Sequence, residues 1–191
     1  MKTIYKCAQK YRDFSIETDI PIKKQLLSPN AVNQLDALKS IAGCYKIART
    51  FRRKFDIDIG LHRFEPVLKI LNKYRRVRNF DVVALVVKVN SELAGIYQRN
   101  TLSATSKFLW FLFGQRIVIY DSRAVKTLSK LSKIRFQNLK GNYAVFYSAW
   151  QKEFTNKKDE IFEVCKSEKF PTEEWFLERV FDFYLWINGG N

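Results

Sequence analysis

Apolar residues recur at three- and four-residue steps along most of this chain, a spacing that puts them on one face of a helix. After Ser28-Pro29-Asn30, the positions Val32, Leu35, Leu38, Ile41, Ala42 and Tyr45 keep that step. Ser28 reads as the cap and Pro29 as the first helical residue, where a missing N–H costs nothing. The basic cluster Arg49, Arg52, Arg53 and Lys54 closes the segment and suits the negative end of a helix dipole. A second helix is predicted around Phe64 to Tyr74. The run Val82 to Val87 is rich in strand formers. Its pattern nevertheless continues through Val89, Leu93, Ala94 and Tyr97, too long for one strand, so it too reads as helix.

Further along, an apolar helix from Leu102 to Phe113 leads into a turn at Gly114-Gln115-Arg116 and a short extended run, Ile117 to Tyr120. Asp121-Ser122-Arg123 opens the next helix. Beyond Lys140-Gly141, a helix carries Tyr143, Phe146, Tyr147, Trp150 and Phe154 and ends in the charged residues 156–159. The last helix runs from Pro171-Thr172-Glu173-Glu174 to Gly189-Gly190. Residues 1–27 show no clear period and are read as irregular structure or a short strand or helix. The expectation is a mainly α chain, with room for a short N-terminal strand element.

At 191 residues, one domain suffices, since a chain of this size buries about 70% of its unfolded surface. Hydrophobic residues make up 47% of it, enough to offset the entropy of ordering. Thirty-four Lys and Arg face nineteen Asp and Glu, a net charge of +15, which attracts phosphate polyanions or anionic lipid. The longest apolar stretches are far short of a bilayer span, and the N-terminus lacks a signal-peptide core. No membrane association is expected, and the cytoplasm is the expected location. Cys7, Cys44 and Cys165 have no CxxC spacing, which argues against a zinc site or disulfide framework; they read as reduced core thiols.

Other candidates are weaker. The one histidine, His62, reads as a surface or capping residue, which removes the usual general base for a Ser or Cys nucleophile. Asp56 and Asp58 invite a metal reading, but no third oxygen-rich position follows at fixed spacing, so no metal is expected. Two basic patches, Arg49 to Lys54 with Arg52 and Arg53, and Lys73, Arg75, Arg76 and Arg78 beside Tyr74 and Phe80, could hold phosphates or be solvated faces.

The segment from Leu102 to Val125 is the most informative. It pairs Lys107, on an apolar helix, with Asp121, fourteen positions on at the mouth of the next helix. This arrangement resembles the core of the helix-hairpin-helix DNA glycosylases, the superfamily of 8-oxoguanine glycosylase and endonuclease III. Arg179-Val-Phe-Asp-Phe-Tyr-Leu-Trp186-Ile-Asn-Gly189 is similar to the closing helix of small bacterial proteins of the 8-oxoguanine branch. The resemblance covers residues 80 to 190. Ser103-Ala104-Thr105 stands where the family places Gly-x-Gly, the lysine-to-aspartate spacing is shorter, and Arg123 replaces a histidine.

The resemblance implies a single two-lobed helical domain over residues 1–191, with a cleft near 100–125 and no cofactor. It implies double-stranded DNA with a flipped base as partner, with no obligate protein partner. Its activity would be excision of a damaged or modified base, in a setting of defence against phage with modified DNA. Asp121 would be the catalytic carboxylate, stabilising positive charge on the sugar or activating water, and Lys107 the nucleophile that adds abasic-site lyase chemistry. Ser103, Thr105 and Ser106 would meet a phosphate at the helix N-terminus, and Arg123 would orient the acid or meet the backbone.

The residues also admit plainer roles. Asp121 can be an ordinary N-cap, Lys107 can snorkel to water, the hydroxyls can cap, and Arg123 can form a surface ion pair. The competing functions are a DNA- or RNA-binding module without chemistry on the same scaffold, or a binder of an acidic protein or anionic membrane.

Overall fold

The computed structural model describes residues 2–51 and 63–190. The described residues are mainly helical and contain no strand. Residues 52–62, among them Arg52, Arg53, Lys54, Asp56, Asp58 and His62, lie outside the described residues.

The chain divides into two compact units, Met1–Glu17 with Val118–Asn191, and Thr18–Ile117. The first contains α1 (Lys2–Phe14), α7 (Ser122–Ser132), the single-turn α8 (Phe136–Leu139), α9 (Tyr143–Ser167) and α10 (Glu174–Asn188). The second contains α2 (Ile20–Leu26), α3 (Ala31–Cys44), α4 (Glu65–Tyr74), α5 (Val82–Tyr97) and α6 (Leu102–Phe113).

Of the forms the sequence leaves open for residues 1–27, irregular structure, a short strand or a helix, the segment is helix. Ile4, Cys7, Ala8 and Tyr11 are buried on one side of α1, at the i, i+3, i+4, i+7 positions of a helix face. Lysines and arginines occupy the outer positions and dilute the pattern in the sequence. One π-helical turn, Ser15–Asp19, then leads into α2.

Three boundaries also move. Asn30, not Ser28, caps α3, its Oδ1 accepting the Val32 N–H at 2.8 Å while Ser28 Oγ accepts the N–H of Asn30 at 3.2 Å. Pro29 therefore precedes the helix. α3 stops at Cys44, and Arg49 sits beyond it in the 3-10 turn Ala48–Thr50. α9 continues past the charged residues 156–159 because Ile161, Val164 and Cys165 extend its buried stripe. Cys7 and Cys165 are core thiols that burial pushes up to about 11, whereas Cys44 is exposed, a correction to its expected place.

In the second unit α6 is the centre, packed by α2, α3, α4 and α5. Ten of its twelve residues are buried. Phe51 joins it to the rest, its ring centroid 5.7 Å from Phe108, 5.1 Å from Phe64 and 4.8 Å from Tyr97. In the first unit α10 takes that place, against α1, α7 and α9. Phe176, Leu177, Val180, Phe181 and Leu185 are its buried face.

A buried cation lies within that face. The Arg179 guanidinium sits 5.3 Å from the Tyr11 ring centroid and 5.8 Å from that of Phe183, and donates to Asp182 Oδ2 at 2.7 Å. Asp182 Oδ1 also accepts the Trp150 indole N–H at 2.8 Å, so one carboxylate ties α9 to α10. Such a pair is costly to break by one side, since the remaining charge is left buried.

Glu178 follows from the same crowding. Burial pushes its carboxyl up to about 8, and Asp182 and Glu174 push the same way against Lys158 and Arg179. A raised acid pKa means the folded chain holds a proton that the unfolded chain has lost, so the group costs stability as pH rises from its unfolded value to about 8. Glu178→Gln should therefore gain melting temperature over the parent at pH 9 relative to the same comparison at pH 5. A pH-independent difference in thermal melts would refute this.

Candidate functional site

Asp121 is placed by the strand-like run before it. Ile117, Val118, Ile119 and Tyr120 are all buried. The Val118 carbonyl accepts the Tyr143 hydroxyl at 2.9 Å, and the Tyr120 hydroxyl accepts the Gly141 N–H at 2.7 Å. Burial, then the charge of Tyr147, keep the Tyr143 phenol well above its ordinary range, so it stays a donor.

Asp121 then caps α7. Its backbone is extended (φ −143°, ψ 143°), its Oδ1 accepts the Arg123 N–H at 2.9 Å, and its carbonyl accepts the Val125 N–H at 2.9 Å. A carboxylate here complements the positive end of the helix dipole. The side chain is half-buried.

The end of α10 meets the start of α7. Thr127 Oγ1 donates to the Leu185 carbonyl at 2.7 Å. At Gly189 there is no room for a side chain, since a Cβ would lie 2.3 Å from the Arg123 carbonyl oxygen. The Arg123 guanidinium lies 4.7 Å from the Trp186 ring centroid, and Trp186 keeps 40% of its surface exposed. Asp121, Arg123 and Trp186 thus belong to one end of one helix pair. The sequence showed Trp186 only as an apolar position of the last helix. Nothing in its spacing links it to Arg123, sixty-three positions earlier.

Lys107 belongs to the other unit. It is 3% exposed, and its Nζ donates to Ser103 Oγ at 2.7 Å, one turn back along α6. It does not snorkel to water. The other hydroxyls are also turned inward. Thr105 and Ser106 are fully buried, Thr105 Oγ1 bonding Thr101 Oγ1 at 3.5 Å and Ser106 Oγ donating to the Ser103 carbonyl at 3.2 Å. The cap position is Thr101, whose hydroxyl is directed to Asn90 of α5 at 2.8 Å, while Asn100 Oδ1 accepts the Leu102 N–H at 3.0 Å. Thr105 and Ser106, offered by the sequence for a phosphate or for capping, have no exposed surface here. Ser103 is half-buried.

The basic patch around α4 separates by role. Lys73 pairs with Glu92 at 2.9 Å, and Tyr74 donates to the same oxygen. Burial alone would raise the Glu92 carboxyl, but the hydrogen bonds of Tyr74 and Lys73 and the Lys73 charge outweigh it and hold it below its ordinary value. Arg75 donates to the Leu26 carbonyl at 2.6 Å and so ties the end of α4 to the end of α2. Of these two cations, both expected to meet phosphates, Lys73 is exposed but paired and Arg75 is bonded to backbone within the fold. Arg76 and Arg78 are exposed. Among the described residues no group of three or more His, Cys, Asp or Glu could hold a metal ion, and no helix is long and apolar enough to cross a membrane.

No family model, no curated protein and no solved structure matches the chain.

The Gly189 contact makes a direct test of the helix pair. Gly189→Ala should destabilise the protein by about 1–3 kcal/mol, the usual cost of forcing a methyl into packed backbone. Urea denaturation would measure it; an unchanged midpoint would mean that the two helices do not hold this approach.

Proposed function

We propose that this chain is a DNA glycosylase-like protein that excises a damaged or modified base, with Asp121 as its catalytic carboxylate. The observation that supports the reading most is the setting of Asp121: a half-buried carboxylate fixed by the backbone N–H of Arg123, whose own guanidinium lies over a part-exposed indole. Cleavage of an N-glycosidic bond builds positive charge on the sugar. A carboxylate held still before that charge develops stabilises it, or takes a proton from the attacking water. The net charge of +15 supports approach to a polyanion.

Lys107 is the proposed nucleophile for a further lyase step. For that, its amine must leave Ser103 and attack the sugar carbon as the base departs; the ring C–O bond at that carbon then breaks, the ring oxygen taking a proton from the nitrogen, to give a protonated Schiff base from which the strand is cleaved by elimination. The proposed partner is double-stranded DNA with an extruded base. A second reading, a nucleic-acid-binding module without chemistry, is favoured by one specific fact: the Asp121 carboxylate already caps α7 and the Lys107 ammonium is already bonded inside α6.

Asp121→Asn separates the two, because asparagine caps a helix as well as aspartate does. On duplexes carrying damaged or modified bases, the parent should generate abasic sites. The variant should lose at least about 100-fold in rate while binding and melting temperature stay unchanged, the scale on which fixed electrostatic groups act. Full activity in Asp121→Asn would sink the assignment, and absence of base release by the parent across the substrate panel would leave the binding module. Lys107→Met should keep base release and lose strand cleavage.

A further inference from the structure

Three connections in the second unit converge on one basic surface. Arg116, in the turn after α6, donates from Nη1 to the Arg78 carbonyl at 2.7 Å, and its guanidinium lies 5.7 Å from the Phe80 ring centroid. Phe80 in turn packs at 4.8 Å on Phe113, the last residue of α6. The loop that carries Arg76 and Arg78 is joined to the end of α2 by the bond from Arg75 to Leu26. From α2 itself, Lys23 Nζ lies 3.5 Å from where a Cβ on Gly114 would stand, and Gly114 has φ +71°. The positive φ at that turn is what favours glycine there.

Lys23, Arg76, Arg78 and Arg116 are all exposed, and none forms an ion pair with a carboxylate among the described residues. The one acid between Arg75 and Lys88 is Asp81, whose Oδ1 caps α5 through the Ala84 N–H at 2.7 Å. The contrast with Lys73, which Glu92 neutralises, is informative. Cations gathered without counter-charges repel one another, and a polyanion removes that repulsion while its own counterions are released. Three of the four are arginines, whose planar forks match phosphate oxygens in pairs.

We propose that Lys23, Arg76, Arg78 and Arg116 form a docking surface for the phosphodiester backbone of duplex DNA. This rests on the nucleic-acid reading above and goes further, because it names the cations that hold the backbone. It replaces Lys73 and Arg75, which the sequence suggests for that role, with Lys23 and Arg116, which are remote in sequence.

The test is anisotropy titration of a labelled 20-bp duplex over a range of NaCl concentrations. The triple variant Lys23→Ala/Arg76→Ala/Arg78→Ala is compared with Lys6→Ala/Lys152→Ala/Lys166→Ala, which removes three exposed cations elsewhere. Arg116 is left in place, and Arg78→Ala keeps the carbonyl that Arg116 uses; thermal melts check that both variants fold. The first variant should show a salt slope shallower by about 2–3 and, at about 0.15 M salt, affinity lower by roughly 100-fold, since each lost phosphate contact removes about 0.9 from the slope. The second should lose only a few-fold. Equal losses in both, or an unchanged first variant while the parent binds DNA, would overturn the surface and leave the nucleic-acid reading standing. A parent that binds phosphatidylserine vesicles and not duplex DNA would overturn both.

Discussion

The close approach of the last helix to the helix that Asp121 caps is the constraint on which the rest of the first unit depends. Gly189 presses against the backbone of Arg123 where a methyl cannot fit, and four residues earlier the Leu185 carbonyl takes the Thr127 hydroxyl. These contacts fix α10 along α7, and α10 then carries Arg179 into the core, where Tyr11, Phe183 and Asp182 surround it. Asp182 in turn holds Trp150 of α9. Helices from both ends of the sequence are thereby joined through one polar group buried in an aromatic layer. A single carboxylate that satisfies both an indole and a guanidinium specifies one registry of those helices, which apolar packing alone specifies less sharply.

The sequence made the middle of the chain legible and its edges much less so. α5 and α6 follow from unbroken apolar patterns, and the turn and extended run after α6 follow from Gly114 and the β-branched residues behind it. At α1 the same periodicity exists, but basic and other polar residues fill the outward positions and disguise it. At α9 the charged residues 156–159 imitate a helix end, although the buried stripe resumes at Ile161. At α3 Ser28, Pro29 and Asn30 are all good cap signals, and only backbone geometry shows that Asn30 makes the bond.

The candidate site was legible as residues, but their surroundings were not. Asp121 could be located from its place before a helix, and Lys107 from its place on an apolar one. That Ser103 accepts the Lys107 ammonium, or that Thr105 and Ser106 face inward, depends on how α6 is packed all round, and local sequence does not encode that. Cation counting fails for a similar reason. Lys73 and Arg99 stay exposed yet are already bonded, to a carboxylate and to a backbone carbonyl, and Arg75 and Arg179 are drawn further in, whereas Lys23 is brought beside the turn at Gly114 by the packing of α2 on α6. Net charge states how much attraction a chain can exert; the fold decides which cations remain to exert it.

A cap and a catalyst are not competing descriptions of Asp121. What the cap contributes is immobility. The Arg123 N–H fixes one oxygen, the buried run Ile117 to Tyr120 fixes the backbone before it, and Gly189 fixes the backbone after it. A group that must stabilise charge on a sugar works best when it does not reorganise as that charge appears, so the interactions that make Asp121 look structural are the ones a catalytic carboxylate needs. Lys107 is placed on the opposite terms. Its buried amine is bonded to Ser103, and it must give up that bond before it can attack. On the proposed function, base excision would rest on Asp121 alone, and strand cleavage would be a separate step that can be lost without it.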